Sequence, residues 1–122
     1  MFKTIEWRMY INATSKEKAQ RVIKRLNQEI GEMEILSLQQ YWKDETLFEL
    51  ECKTKLQIEE PEKAVFYVLR LVNQLGSDIN VMGPFTYEKN HLEFEGLCAS
   101  PTVIGLNWFH FHIDNFREIL LN

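Results

Sequence analysis

The sequence predicts an α+β domain, two helices on one face of an antiparallel sheet, and three observations carry that prediction. Residues 2–13 and 46–56 alternate apolar and polar side chains at the two-residue period of a half-buried strand. Residues 17–30 and 62–75 instead carry apolar side chains at helical spacing. The two halves also repeat: Glu17-Lys18-Ala19, Arg25-Leu26 and Ile30-Gly31 return as Glu62-Lys63-Ala64, Arg70-Leu71 and Leu75-Gly76, each 45 positions later. Three matches at one offset imply a duplicated strand-helix unit.

Taken in order, the first strand puts Ile5, Trp7, Met9 and Ile11 on one face and Thr4, Glu6, Arg8 and Tyr10 on the other. Thr14, with Glu17 three positions on, reads as a capping box in which hydroxyl and carboxylate each satisfy a free backbone N–H. The helix behind it lines up Ala19, Val22, Ile23, Leu26 and Ile30, and Gly31 supplies the left-handed residue that ends it. Lys16, Lys18, Arg21, Lys24 and Arg25 form its outer face. Glu17 and Glu29 interrupt these cations and no aromatics interleave, which is the pattern of a solvated face.

A second strand at 33–41, a turn at Lys43-Asp44-Glu45 and a third strand at 46–56 make a hairpin. Phe48, Leu50, Cys52, Thr54 and Leu56 point inward on the third strand, and Glu49, Glu51, Lys53 and Lys55 outward. Pro61, having no N–H to waste, suits the first turn of the second helix. Ala64, Val65, Val68, Leu69, Leu71, Val72 and Leu75 make this helix apolar over more than one stripe. It is therefore predicted to be more deeply buried than the first, and to supply the contact if the chain forms a homodimer. Gly76 is expected to end it as Gly31 ends its counterpart. A fourth strand starts at 79–82, where Gly83-Pro84 breaks it or forces it to a sheet edge, since proline cannot donate to a ladder. Residues 85–87 and 92–95, around a turn at 88–90, read as another hairpin. A last, strongly aromatic strand spans 103–113, and 115–122 form a tail, one helical turn packing Phe116, Ile119 and Leu120.

Strand, helix, strand, strand, helix, strand with an internal repeat resembles the ferredoxin-like split β-α-β plan. The resemblance covers residues 2–82, and an extra C-terminal β-hairpin in 83–122 extends the same single domain. It is topological, and it places no functional residue, because this plan hosts many unrelated activities.

Composition narrows the function further. A 45% hydrophobic and 26% charged chain is ordinary for a globular domain. No apolar run approaches the roughly 18 residues of a membrane span, and the N-terminal residues lack the pattern of a signal peptide, so a cytoplasmic location is expected. Cys52 and Cys98 sit in apolar-alternating stretches, where free cysteine behaves as a small buried hydrophobe. The net charge of −4 is uneven: residues 1–58 hold 10 Lys and Arg against 9 Asp and Glu, residues 59–122 hold 4 against 9. An acidic surface repels phosphate backbones and attracts basic proteins.

No phosphate-binding glycine loop, nucleophile elbow or paired-cysteine metal spacing is present, so no cofactor and no catalytic residue are assigned. The sharpest constellation is Trp108, His110 and His112, two apart on a strand and so on one face. A metal there would need further ligands from Glu93, Glu95, Asp114 or His91. An acid-base pair would need Glu49 or Glu51 within hydrogen-bond reach. Alternation alone also produces such rows on a solvated strand. The expected function is a small noncatalytic protein-binding module of the inhibitor, immunity-protein or adaptor kind. Its acidic and aromatic surface, Glu88, Glu93, Glu95, Trp108, His110 and His112, would meet a basic partner such as a toxin or nuclease domain. The alternative is a small-molecule-binding or enzymatic dimer using the open sheet face, which requires an apolar pocket beside His110 or His112.

Overall fold

The computed structural model describes residues 1–116. Along them run β1 (Phe2–Asn12), α1 (Lys16–Ile30), β2 (Glu34–Gln40), β3 (Leu47–Ile58), α2 (Pro61–Leu75), β4 (Asn80–Tyr87), a single 3-10 turn at Glu88–Asn90, β5 (His91–Cys98) and β6 (Leu106–Asp114). The strands form one open antiparallel sheet in the order β2-β3-β1-β6-β5-β4. The helical turn expected around Ile119 and Leu120 lies outside the described residues.

The repeat carries through to the elements. Both helices have fifteen residues, and their first residues, Lys16 and Pro61, are again 45 apart. On β1, Ile5, Trp7, Met9 and Ile11 are buried, as are Phe48, Leu50, Cys52 and Thr54 on β3. Trp7 faces Cys52, and Met9 faces Leu50. These side chains meet Ala19, Val22, Ile23, Leu26 and Ile30 of α1 and Ala64, Val68, Leu71, Val72 and Leu75 of α2 in one core. The same positions of β1 and β3 that point away from the core remain partly or fully exposed, so the helices cover one face and leave the other open. Thr54 is the polar member of the core, and its hydroxyl accepts a hydrogen bond from Trp7 Nε1 at 2.9 Å.

Strand order departs from the plan read in the sequence. β4 stands at a sheet edge, as its Gly83-Pro84 pair led one to expect, but β6 rather than β4 is the strand that lies beside β1. Burial explains the exchange. A strand beside β1 must fill the core, and β6 does so with Leu106, Phe109, Phe111 and Ile113, all at most 4% exposed. Phe111 packs on Trp7 and Phe94, and Gly96 on β5 leaves it room, since a Cβ there would lie 2.7 Å from the ring. Every residue of β4 is exposed. Pro84 has no N–H for a second neighbour, so the edge is where such a strand fits. The strand is longer than residues 79–82, because it continues through a register shift between Met82 and Phe85 to Tyr87.

Two further local readings are corrected. The cap of α1 is Ser15, whose hydroxyl accepts from Lys18 N at 3.3 Å; Thr14 stands one residue too early. Gly31 has φ of 88° at the end of α1, but Gly76 is extended. What Gly76 serves is close approach, as a Cβ would lie 2.9 Å from Cys98 Sγ and 3.0 Å from Pro101 Cα. As expected, α2 is the more buried helix: each helix buries five residues, and α2 half-buries Pro61, Val65 and Leu69 as well, against Asn27 alone in α1, while aromatic rings remain on its outer face. Phe66 and Tyr67 are 63% and 45% exposed. No helix of the described residues is long and apolar enough to cross a membrane.

Candidate functional site

The face of the sheet away from the helices is where the predicted residues come together, because antiparallel register sets alternate residues of adjacent strands side by side. Tyr10 stands between Glu49 and Trp108; Arg8 stands between Glu51 and His110; Glu6 stands between Lys53 and His112. Across β5, Leu97 faces His110, Glu95 faces His112 and Glu93 faces Asp114. Glu93, Glu95, Trp108, His110 and His112 therefore share one surface. Glu88 does not join them, for it lies in the 3-10 turn at the end of the β4–β5 hairpin.

Each histidine reaches diagonally to a carboxylate of β5. His112 Nε2 lies 2.9 Å from Glu93 Oε2, and its Nδ1 is 3.8 Å from Glu6 and 3.7 Å from Asp114. Tyr87 donates its hydroxyl to the other oxygen of Glu93 at 3.2 Å. These bonds, that of His112 first, hold the Glu93 carboxyl below the usual carboxylate range. His110 Nε2 is 3.6 Å from Glu95. Burial pushes the His110 imidazole below its ordinary value even though Glu95 pulls it up. The acid-base partners read from the sequence, Glu49 and Glu51, are not the ones the structure supplies to either histidine. Glu49 is bonded instead to Arg8 at 2.8 Å and to the Tyr10 hydroxyl at 3.1 Å, and the guanidinium holds its carboxyl below the usual range.

A crevice of about 320 Å³ lies on this face, of mixed lining: Glu6, Arg8, Glu51 and Lys53 with His110 and His112, and Leu36 with the edges of Trp7 and Cys52. It is not the apolar pocket that the small-molecule alternative requires. The large apolar groove, about 1220 Å³, is elsewhere, between Val65, Phe66 and Leu69 of α2 and Pro84, Tyr87 and Leu92 of the β4–β5 hairpin. Among the described residues no group of His, Cys, Asp and Glu is arranged to hold a metal ion. His91, weighed as a ligand, has its Nε2 buried without a hydrogen-bond partner among the described residues, and its ring packs on Phe116. Cys52 and Cys98 are free and buried, and burial pushes the Cys52 thiol up to about 12, which makes it inert as a nucleophile.

Sequence reasoning missed the aromatic part of this face. Tyr10 packs on Trp108 and on Tyr41, and Tyr41 on Trp42, with ring centroids 5.3, 4.9 and 6.2 Å apart. Trp108 in turn stacks on His110 at 6.4 Å. Strand parity marked Tyr10 as outward-facing. What no local pattern shows is that β1 and β6 are neighbours, which puts Tyr10 against Trp108. Comparison of the chain with protein-family models, curated proteins and solved structures finds no match.

Proposed function

We propose that the protein is a noncatalytic protein-binding module, of the inhibitor, immunity-protein or adaptor kind, and that its uncovered sheet face receives a basic partner. The observation supporting this reading is the makeup of that face. Along the strands of this face Glu6, Glu49, Glu51, Glu93, Glu95 and Asp114 stand with Arg8, Lys53 and Lys55. Aromatic rings stand among them, and Trp and Tyr are the side chains that most often anchor protein interfaces. A carboxylate-rich surface steers and orients a cationic one, as on a toxin or nuclease domain. In the same spirit we read β2-β3-β1-β6 with both helices as a ferredoxin-like core, the β4–β5 hairpin being inserted ahead of the last core strand.

The test is affinity isolation from the native cell at low salt, beside a Glu93→Lys/Glu95→Lys variant whose folding is verified by its melting curve. Exposed charges are screened beyond about 10 Å at 0.1 M salt. The expected result is a stoichiometric partner of net positive charge that leaves as salt rises and is missing from the variant. A net-acidic partner, or one that the variant retains through high salt, overturns the reading.

A further inference from the structure

We propose that the strip of rings Trp42, Tyr41, Tyr10 and Trp108 is a guanidinium-binding platform, the place on the open face where an arginine side chain of the basic partner is held. This rests on the protein-binding reading above and names the chemistry of the contact. Trp42 is 82% exposed, so its ring adds little to the core. It is nevertheless presented by an ordered turn. Asp44 Oδ1 accepts from Thr46 N at 2.9 Å and from the Thr46 hydroxyl at 2.6 Å, Gln40 Nε2 donates to Glu45 O at 2.9 Å, and Tyr41 N donates to Leu47 O at 2.9 Å. With its backbone held in this way, a tryptophan has only two side-chain torsions to lose when a partner covers it.

The chain's own cations show what the strip accommodates. Lys43 Nζ sits 4.9 Å from the centre of the Trp42 ring. The Arg8 guanidinium lies 5.8 Å from the centre of Tyr10 while bonding to Glu49. Arg8 thus displays, within the chain, the combination that suits a guanidinium: a flat π surface beside a carboxylate. An ammonium gains the ring but not the planar fork. Phosphate-bearing ligands are disfavoured here by Glu49 and Glu51 on the neighbouring strand.

Binding of hexaarginine and hexalysine peptides to the whole chain at low salt tests the proposal, with the three indole N–H resonances followed by NMR. A guanidinium adds ring stacking and a two-pronged fork to the charge that both peptides share, so the expected preference for hexaarginine is about ten-fold, which is ~1.4 kcal/mol. Trp42 and Trp108 resonances should move on hexaarginine addition while that of Trp7, 2% exposed, stays still. Trp42→Ala should remove most of the preference, and Trp108→Leu serves as the second variant. Equal affinity for both peptides, indifferent to Trp42→Ala and Trp108→Leu but lost in Glu93→Lys/Glu95→Lys, overturns the platform and leaves the basic-partner reading standing. Failure of both peptides to bind overturns both.

Discussion

Trp7 N–H has its partner inside the core, the Thr54 hydroxyl, and a buried donor left alone loses more than the bond is worth. Thr54→Val keeps the shape and removes the acceptor, so urea unfolding should show a loss of about 1–3 kcal/mol. In the Trp7→Phe/Thr54→Val pair no donor is stranded, and the combined loss should fall short of the sum of the single losses. Additive losses would mean that packing, not the hydrogen bond, accounts for Thr54. At His110 the issue is protonation. Its folded-state value lies below the ordinary one because burial outweighs the pull of Glu95, while His112 and Arg8 add repulsion. Below about pH 6.5 the unfolded chain therefore binds the proton before the folded one, and stability drops as pH falls until the folded value is also passed. His110→Gln should lose less stability than the native chain between pH 7.5 and 5.5. An equal or greater loss in urea titrations would show that Glu95 wins over burial. Parity along β6 and β5 was enough to place Trp108, His110, His112, Glu93 and Glu95 on one face. Which carboxylate each histidine meets was not legible, because diagonal contacts depend on strand register.

Helices were the most legible elements, because a 3.6-residue stripe is local and the repeat states it twice. The five residues expected to line α1 are the ones buried. The end signals were less secure. Thr14 and Ser15 are both capping types, and only backbone geometry chooses between them. Ser15→Ala should cost from about 0.5 to 2 kcal/mol, with the exposed site favouring the low end. Thr14→Ala, which removes only a 3.3 Å contact to the exposed Lys18 ammonium, should cost close to nothing. Thermal melts of the two variants decide it, and a reversed order would return the cap to Thr14. The place of β4 was legible in part. Its proline argued for an edge, which is where it lies, but no local pattern said that β5 and β6 would separate it from β1. A central slot demands a strand able to fill the core, and Phe109, Phe111 and Ile113 make β6 that strand.

The sheet is built outward from β1, which is bonded on both sides, to β2 and β4, which are bonded on one. Opening free energy should follow that gradient, since amides under few buried contacts exchange through local opening and central ones only through global unfolding. Hydrogen exchange should therefore find β1 and β6, the central pair, most protected and β4 least. Val81, Met82, Phe85 and Tyr87 are each 40–51% exposed, so little apolar burial holds that strand down. The same measurement bears on self-association, because β4 flanks the apolar groove beside Phe66. In a dimer sealed at this edge, β4 amides would slow as protein concentration rises, with Val81 and Phe85 following. Exchange from β4 that is fast and independent of concentration means the edge is open in solution. Protection equal to that of β1 at every concentration would contradict the gradient itself, because the β4 edge carries too little buried surface to reach it unaided.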